Sequence, residues 1–279
     1  MRIGLGQMDC LLGDIESNLA TMHDLIKQAL LQDVDLLVFP ELTLTGYAIG
    51  KVEEDVSLRP DDPRIRSLLQ AAGELSLVFG FHEDAGHRSY NSAAYTQADE
   101  LVHVHRKLYL PNYGPFEERK HFSPGQHMRS FSTRHGDAAM LICNDAWQPV
   151  LPFIAVQDGA QLLIIPTNSS EKPTSDGVVN NSYWYEIVRF HARIYESYVI
   201  FVNRVGHEHG LNYWGGSHVV APSGETVAQA QGSEAGLTVA DIDLAEVTRW
   251  RRRAPLVREA RLAMLSREFE RLAQSGGDL

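Results

Sequence analysis

An α/β fold, with sheets lying under helices, is predicted by three features of the sequence. Compact apolar runs such as Val34–Phe39 are typical of strands buried on both faces. They alternate with longer segments, such as Ser17–Gln32, whose apolar residues recur at helical spacing. The 279 residues are 44% hydrophobic and 22% charged, an ordinary balance for a globular protein that excludes a disordered chain. Strands interleaved with helices then favour layered sheets covered by helices.

The first half of the chain alternates between strands and helices. Ile3–Met8 is predicted to be a short strand, and Ser17–Gln32 an amphipathic helix. Val34–Phe39 follows as a buried strand that ends at Pro40-Glu41. The next predicted elements are a helix over Asp62–Glu74, a strand over Leu75–Phe81, and a hairpin of Tyr90–Thr96 with Leu101–Arg106.

The second half continues the same alternation, and we expect one domain over residues 1–265. Residues 266–279 are expected to be the end of the last helix and a frayed tail. Asp243 is expected to cap a short helix. The predicted strands are Ala138–Ile142, Leu162–Pro166, Val199–Val202, His218–Ala221 and Leu237–Ile242. The predicted helices are Pro149–Asp158, a long helix through Trp184, Val188 and Tyr195, and Leu256–Ala273.

The charge balance argues against nucleic acid as a partner. Lys and Arg total 25 and Asp and Glu total 36, giving a net charge of −11 that phosphate backbones repel. The basic cluster Arg249 with Arg251–Arg253 is interpreted as a solvated helix face or a subunit contact. No apolar run is long enough to span a bilayer, so we expect no membrane association and a cytoplasmic location. The two cysteines cannot form a disulfide framework.

Reactive side chains follow three of the predicted strands. Glu41 follows a buried strand, Lys107 follows the second strand of the hairpin, and Cys143 ends the strand before a helical turn. A thiol is mostly protonated at neutral pH, so a base must remove its proton before it can act as a nucleophile. A carboxylate could be that base. A fixed ammonium could stabilise the oxyanion that forms on attack at a carbonyl. Taken singly, a cysteine in an apolar run is more often a core residue, and a lone Glu or Lys is usually a solvated charge.

Three ordered segments of the chain resemble the carbon–nitrogen hydrolase family, also called the nitrilase superfamily. They are Leu37–Leu42 with Thr45-Gly46-Tyr47, Arg106–Pro111, and Leu141–Asp145. A segment over 114–125 is similar to the family loop that carries a second glutamate. Later landmarks are also similar: Ala192-Arg193 with Glu196, Val202–Gly206, Gly215-Gly216-Ser217, and Pro222–Glu225. The likeness covers nearly the whole chain, from Arg2 to about Arg261.

The resemblance implies a four-layer αββα sandwich, usually assembled into homodimers or larger oligomers. It implies that Glu41 is the general base, Lys107 the oxyanion stabiliser and Cys143 the nucleophile. Glu118 would be the second glutamate, which orients Lys107 and the substrate. The backbone N–H of Asn144 would be the other oxyanion donor. No metal or organic cofactor is implied.

Several further side chains are candidates for the substrate pocket. Tyr47, Tyr113, Trp147 and Asn168 are expected to contribute to its wall, and Tyr183 and Trp184 are either pocket or core residues. Cys10 is interpreted as structural. The pairs His103/His105 and His207/His209 lack the carboxylates or thiolates of a metal site. Because no arginine pair follows Cys143, we expect a preference for neutral or cationic amides, unless Arg189 or Arg193 turns inward.

The residues around Cys143 bear on the branch of the family. Nitrilases usually have Cys-Trp-Glu there, whereas Cys143-Asn144-Asp145 resembles carbamoyl-amino-acid hydrolases. Those enzymes continue with arginines where this chain has Ala146-Trp147. Leu110–Gly114 and Asp145–Trp147 look most like the glutamine-hydrolysing domain of NAD synthetases, but a synthetase domain is not expected. We expect a stand-alone amidase, with two alternatives: an N-carbamoyl hydrolase, and a glutaminase subunit or non-catalytic module that needs a partner.

Overall fold

The computed structural model describes residues 1–114, 116–171 and 181–276. Pro115 of the predicted glutamate loop and residues 277–279 of the expected tail lie outside the described residues. The helices are α1 Ile15–Leu30, α2 Pro63–Ala72, α3 Val150–Gln157, α4 Asn181–Ile194, α5 Ala245–Arg253 and α6 Leu262–Gln274. Short 3₁₀ turns cover Ile49–Lys51, Glu118–Lys120 and Cys143–Trp147.

The strands form two six-stranded sheets and one small sheet. The first sheet has the order β15-β1-β2-β3-β4-β5. Its strands are β1 Arg2–Gln7, β2 Leu36–Val38, β3 Ser76–Asp84, β4 Ser89–Gln97, β5 Glu100–Arg106 and β15 Gly236–Asp241. The second sheet has the order β14-β13-β10-β8-β7-β6. Its strands are β6 Phe131–Thr133, β7 Gly136–Met140, β8 Leu162–Thr167, β10 Tyr198–Asn203, β13 His218–Val220 and β14 Thr226–Gln229. The small sheet, ordered β11-β12-β9, contains β9 Ser170–Glu171, β11 Val205–Glu208 and β12 Leu211–Trp214.

Alternate residues of each strand enter different cores, which establishes four layers. In β2, Leu37 packs into the core beneath α1 and α2, whereas Leu36 and Val38 face the second sheet. In β8, Ile164 faces the first sheet and Ile165 lies under α3 and α4. Because strand side chains alternate with a period of two, one apolar run serves two cores at once. The α/β fold class is confirmed, and the layers run helix, sheet, sheet, helix.

Local capping explains why the first two helices begin where they do. The Asp14 carboxylate accepts the backbone N–H of Ser17 (3.0 Å) at the start of α1. The Asp62 carboxylate accepts the N–H of Arg64 (2.9 Å), and Pro63 occupies the first position of α2, where its missing N–H is not needed. Asp243 likewise accepts the N–H of Ala245 (3.0 Å) at the start of α5.

Two predicted features of the fold are wrong in detail. The last helix begins at Leu262 rather than Leu256, because Val257 packs against the core under α3 and its carbonyl accepts the Gln157 amide (2.8 Å). Strands β6, β9, β11, β12 and β14 were not predicted; each is only two to four residues long, too short for a clear alternating pattern. No helix within the described ranges is long and apolar enough to cross a membrane.

Candidate active site

The ends of three strands bring the predicted reactive residues together. Glu41 lies shortly after β2, Lys107 directly after β5, and Cys143 shortly after β7. Strands β2 and β3 are parallel, and β3 pairs antiparallel with β4, which in turn pairs antiparallel with β5. Strands β2 and β5 therefore run in the same direction, and their ends meet at one edge of the first sheet. At that edge the Lys107 Nζ lies 2.6 Å from the Glu41 Oε1.

Lys107 bridges two carboxylates in the interior of the molecule. Its ammonium donates to Glu41 Oε1 (2.6 Å) and to Glu118 Oε1 (2.7 Å), and all three side chains are almost inaccessible to solvent. The Tyr47 hydroxyl donates to the same Glu118 oxygen (2.6 Å). Glu118 Oε2 is buried without a hydrogen-bond partner in the described structure. Glu118 therefore contacts Lys107 and Tyr47 through one oxygen and leaves the other unused.

Two asparagines donate hydrogen bonds to the Glu41 carboxylate, and only one of them was a candidate from the sequence. The Asn91 side-chain amide donates to Glu41 Oε1 (2.7 Å), and the backbone N–H of Asn168 donates to Glu41 Oε2 (2.9 Å). Asn91 was not predicted to lie in the site. Its signal was an amide between Tyr90 and Ser92 within a strand, where β-propensity disfavours Asn. These bonds fix the orientation of the carboxylate.

Close backbone packing also places Glu41 and Lys107. A Cβ at Gly80 would lie 2.1 Å from the backbone nitrogen of Leu42, directly after Glu41. A Cβ at Gly125 would lie 2.2 Å from the carbonyl oxygen of Arg106, directly before Lys107. Neither glycine can be replaced without moving the backbone that carries a charged side chain of the site.

Cys143 sits on a backbone conformation that is rare for L-amino acids. Cys143 has a φ of +46° and is the first residue of the 3₁₀ turn Cys143–Trp147. The residue is partly exposed to solvent. Such strain outside glycine persists only where the surrounding structure enforces it, and it clusters at functional sites. The turn therefore presents the thiol at the strand end instead of burying it in the core.

The charges around the thiol determine its protonation state. Burial, and then the negative charge of Glu41, raises the pKa of the Cys143 thiol; Glu118 adds to this, against the opposing effects of Lys107 and the Asn168 N–H. Burial alone would lower the pKa of Lys107, but Glu118 and Glu41 outweigh it and keep the ammonium charged. The resting cysteine is therefore a thiol, and its reaction requires a base.

Glu118 is the carboxyl group whose titration falls nearest neutrality. Burial raises the pKa of Glu118 to about 7; the charge of Lys107 opposes this, and that of Glu41 adds to it. Two carboxylates that share one ammonium do not both ionise at their ordinary pKa values. The site consequently changes its net charge near neutral pH.

Asp145 lies at the centre of a second group of hydrogen bonds. Its carboxylate, which is fully buried, accepts the His105 Nε2 (3.0 Å) and the backbone N–H of Ile142 (3.1 Å) on Oδ2. Its Oδ1 accepts the N–H groups of Leu108 (3.0 Å) and Tyr109 (2.9 Å). The sequence had suggested only that Asp145 is a nearby anion and that His105 is half of an improbable metal pair.

The expected pocket residues occupy different positions around the centre. Tyr47 reaches Glu118, and Asn168 is buried with neither side-chain polar atom partnered by a described residue. The Asn144 amide donates to the carbonyl of Tyr109 (3.1 Å), and its oxygen accepts a long hydrogen bond from Tyr113 (3.4 Å). A cleft of about 820 Å³ next to these two residues is lined by Leu108, Tyr109, Leu110, Pro111, Asn112, Tyr113, Arg119, Phe122, Pro124, Asn144 and Gln148.

The aromatic residues after the cysteine form one cluster. Trp147 is partly exposed and contacts Tyr183 and Trp184 edge-on, with ring centroids 6.5 and 5.5 Å apart. Trp184 is buried, and its indole N–H donates to the Ser169 hydroxyl (2.8 Å), so its role is structural. Trp147 and Tyr183 remain candidates for contact with a ligand.

The arginines of α4 do not take the positions considered from the sequence. Arg189 and Arg193 are both exposed, whereas helical spacing had favoured a buried Arg193. The stem of Arg193 lies against Gly224, where an added Cβ would come within 2.5 Å of its Cδ. Neither guanidinium has a recorded contact with the charged centre in the part of the chain that the structure describes.

The remaining cysteine and histidines have structural surroundings. Cys10 is fully buried, and burial raises the pKa of its thiol to about 12. His103 stacks on Phe131 with centroids 4.3 Å apart, while His207 bonds to Asn212 (2.7 Å). Across residues 1–114, 116–171 and 181–276, no three His, Cys, Asp or Glu side chains are arranged to hold a metal ion.

Known proteins share both this sequence pattern and this fold. A family model described as carbon–nitrogen hydrolase matches residues 2–252. The chain is 33% identical over 255 residues to a glutamine-dependent NAD(+) synthetase of Thermotoga maritima, a match that covers 88% of this chain and 42% of that protein. The chain therefore spans less than half the length of that relative.

Other relatives match over most of both lengths. An N-carbamoylputrescine amidase of Solanum lycopersicum is 28% identical over 250 residues, covering 84% of this chain and 83% of that protein. A solved variant of the amidase from Nesterenkonia sp. AN1, with acrylamide added at the active-site cysteine, superimposes with a TM-score of 0.82. It is 27% identical, and the match covers 96% of this chain and 99% of that one.

Proposed function

Because the chain belongs to the carbon–nitrogen hydrolase family, and is thus a hydrolase of carbon–nitrogen bonds other than peptide bonds, we propose that it is a thiol-dependent amidase. The substrate is a small carboxamide, which is hydrolysed to a carboxylic acid and ammonia. The observation that carries this proposal is the enclosed cluster of Glu41, Lys107 and Glu118, whose charges all act on the Cys143 thiol.

Acylation begins with proton transfer from Cys143 to Glu41. The raised pKa of the thiol makes this base necessary, and Asn91 and the Asn168 N–H hold the carboxylate in place. The thiolate attacks the carbonyl carbon, and the developing oxyanion is stabilised by Lys107 and the backbone N–H of Asn144. Protonated Glu41 returns its proton to the departing nitrogen, which leaves as ammonia. A thioester remains on Cys143.

Deacylation uses the same groups in reverse order. Glu41 removes a proton from water, and the hydroxide attacks the thioester carbonyl. The second oxyanion is held by the same two donors and collapses to the acid, while Glu41 returns the proton to the Cys143 sulfur. Lys107 remains charged throughout, because the adjacent carboxylates keep its pKa high. No cofactor enters this sequence.

The cysteine chemistry of a relative supports the assignment of the nucleophile. In the Nesterenkonia amidase variant, acrylamide adds to the active-site cysteine. In this chain, the residue Cys143 keeps partial exposure, whereas Cys10 is fully buried. An electrophilic amide should therefore modify Cys143 alone.

An N-carbamoyl hydrolase is the second candidate function. The N-carbamoylputrescine amidases match over more than four fifths of both lengths, unlike the NAD synthetases. In this reaction the Cys143 thiolate would attack a ureido carbonyl in the same way. The resulting carbamate would release carbon dioxide as well as ammonia. The cluster itself does not distinguish the two acyl groups.

A substrate panel tests both candidates. Purified chain is offered carboxamides, N-carbamoyl compounds and nitriles, and ammonia and carbon dioxide are both measured. Ammonia without carbon dioxide supports the amidase, and both products together support the carbamoyl hydrolase. Turnover only after addition of a synthetase partner would contradict the stand-alone proposal and favour a glutaminase subunit. The Cys143→Ala variant is the matched control for contaminating activity.

We also propose that the chain assembles into a homodimer or a larger homo-oligomer. Leu262, Leu265, Phe269 and Leu272 recur along α6 at spacings of three and four residues, and no residue of α6 is buried. An exposed apolar stripe of this kind marks a contact surface. Light scattering after size exclusion should give at least twice the 31.2 kDa chain mass. Substitution of Leu262 and Phe269 by charged residues should lower the measured mass towards that of the monomer. A wild-type monomer at micromolar concentrations would contradict the proposal.

A further inference from the structure

A buried carboxylate outside the proposed chemistry ties the two halves of the site together. Asp145 accepts hydrogen bonds from the backbone on both sides: Leu108 and Tyr109 follow Lys107, and Ile142 precedes Cys143. One side chain therefore joins the end of β5 in the first sheet to the end of β7 in the second. No backbone pairing connects these two segments, because β5 and β7 belong to different sheets.

His105 completes the acceptor capacity of this carboxylate. Its Nε2 lies 3.0 Å from Asp145 Oδ2, and both side chains are almost fully buried. An ionised carboxylate only accepts hydrogen bonds, so the Nε2 of His105 carries the hydrogen. His105 lies on β5 two residues before Lys107, so its side chain restrains the strand that carries the ammonium.

We propose that Asp145 and His105 form a positioning pair that sets the approach of Lys107 to Cys143. The inference rests on the proposed roles of Lys107 and Cys143 and deepens them. The pair also holds the N–H of Ile142, directly before the positive φ of Cys143, and so maintains the strained turn. Neither residue exchanges a proton with substrate; their effect is on the geometry of the oxyanion site.

The saturation of Asp145 makes Asp145→Asn a sharp test. Both oxygens accept two donors each, so an amide nitrogen at Oδ1 would face the N–H groups of Leu108 and Tyr109. An amide nitrogen at Oδ2 would face the N–H of Ile142 and would force His105 to accept through Nε2. The variant keeps the side-chain shape but loses at least one of its four hydrogen bonds. Misplacement of reacting groups by about 1 Å typically costs roughly 10²-fold in rate. We expect a fall of that order in kcat, with KM changed far less.

His105 provides a milder pair of variants that separates positioning from folding. His105→Gln keeps an N–H donor at a similar distance from Asp145 and should retain most of the wild-type kcat. His105→Leu removes the donor and should lose most of the wild-type kcat. A role in folding alone would lower the yield and thermal stability of His105→Leu without changing kcat of the folded protein. Recovery of kcat by Gln at similar stability is the signature of positioning.

A second readout does not depend on knowing the substrate. The rate at which iodoacetamide alkylates Cys143 is measured against pH, with intact mass confirming one modification. Because Lys107 lowers the pKa of this thiol, a displaced ammonium should move the alkylation profile of Asp145→Asn and His105→Leu to higher pH. Asp35→Asn is the matched control: Asp35 accepts the N–H of Arg2 (2.6 Å) just before β2, whose other end leads to Glu41. It should leave the profile unchanged.

The outcomes separate this inference from the proposed function. If wild-type protein neither turns over amides nor reacts at Cys143, the proposed function fails. If wild type reacts and folded Asp145→Asn and His105→Leu match it in kcat and in alkylation profile, the positioning pair is refuted. If Asp145→Asn does not fold, His105→Leu against His105→Gln decides alone, and equal kcat in those two variants overturns the inference.

Discussion

Two buried charge clusters in this molecule have the same components and different consequences. In one, Lys107 lies between Glu41 and Glu118, beside Cys143. In the other, Arg204 lies between Asp9 (2.8 Å) and Glu208 (2.8 Å), beside Cys10. Each therefore combines one cation, two carboxylates and a thiol. The presence of these groups together does not by itself make an active site.

The difference lies in unused hydrogen-bonding capacity. Arg204 also donates to the carbonyls of Cys10 (2.8 Å) and Val205 (3.3 Å), and Glu208 accepts the N–H groups of Tyr47 and Ala48. We call it the saturated cluster because no buried nitrogen or oxygen atom of Arg204 or Glu208 lacks a partner in the described structure. In the first cluster, by contrast, Glu118 Oε2 and both polar atoms of the nearby Asn168 side chain are buried without partners among the described residues. Buried polar groups left without partners are costly, so a substrate that satisfies them is favoured.

The largest expected contrast is between the two thiols. Cys143→Ala should abolish turnover, because no other group can form the acyl-enzyme, while Cys10→Ala should leave kcat nearly intact. Cys10 is fully buried and its pKa is raised to about 12, so it reacts with neither substrate nor alkylator. Ammonia release by both variants, together with peptide mapping after alkylation, makes the comparison. Labelling of Cys10 accompanied by loss of activity would reverse the assignment.

The two cations should differ in what their removal changes. Loss of one oxyanion donor typically costs about 2.7–4 kcal/mol, or roughly 10²–10³ in rate, so Lys107→Met should lower kcat by at least this much. Arg204→Met leaves Glu208 buried and unpaired, and should lower the free energy of unfolding by about 3–5 kcal/mol. Steady-state kinetics and denaturant unfolding are measured on both.

A single result would remove the distinction between the clusters. If Lys107→Met kept a normal kcat and only raised KM, its ammonium would serve binding and not the transition state. Lys107→Met also leaves two carboxylates side by side, so its unfolding free energy is measured over the same pH range. That measurement separates a damaged fold from a damaged reaction.

Much of the charged centre could be predicted from the sequence because its residues follow strands. Glu41 and Cys143 each follow an apolar run, and Lys107 follows the second strand of the predicted hairpin, so local patterns are enough to place these positions. The saturated cluster could not be predicted, because Arg204 meets Asp9 across 195 positions of the chain. Asn91 and the Asp145–His105 pair were missed for the same reason: their partners are chosen by sheet pairing and not by local sequence.

The fold shows the same limit. Strands such as Leu162–Thr167 were predicted within one residue because hydrophobic periodicity is a local property. The start of α6 was misplaced because Val257 is held by a contact with Gln157, 100 positions earlier in the chain. Tertiary contacts override local helix propensity at such boundaries.

The titration of Glu118 gives a smaller effect that the saturated cluster should not show. Its pKa of about 7 lies above the ordinary 4.5, so the folded protein holds this proton more tightly than the unfolded chain. Its contribution to stability is complete below about pH 4.5 and is lost as pH rises through about 7. The difference corresponds to at most about 3 kcal/mol.

Glu118→Gln isolates this contribution. The Gln variant cannot titrate, so wild type should lose stability relative to it as pH rises through about 7, by at most the same ~3 kcal/mol. Denaturant unfolding at matched pH values gives the difference directly. Parallel stability curves for the two proteins would show that Glu118 is ionised throughout and that its burial is fully compensated by Lys107.

The smallest expected effect is a charge preference of the substrate. Glu41 and Glu118 place two carboxyl groups beside the thiol, and Lys107 is already shared by both of them. A substrate carboxylate close to the scissile bond would add a further negative charge there.

The cleft wall also carries a cation, Arg119. It is exposed and lines the cleft beside Asn144, so it is available to a remote anion more readily than to one next to the carbonyl. We expect short amides with a terminal methyl or amine to exceed matched carboxylates in kcat/KM. A longer aliphatic chain in the substrate should reduce this difference in kcat/KM, because its terminal carboxylate could then reach Arg119. In the Arg119→Ala variant the difference should return. A tenfold preference for the short carboxylate, about 1.4 kcal/mol of transition-state binding, would overturn the expectation and require an arginine to reach the thiol.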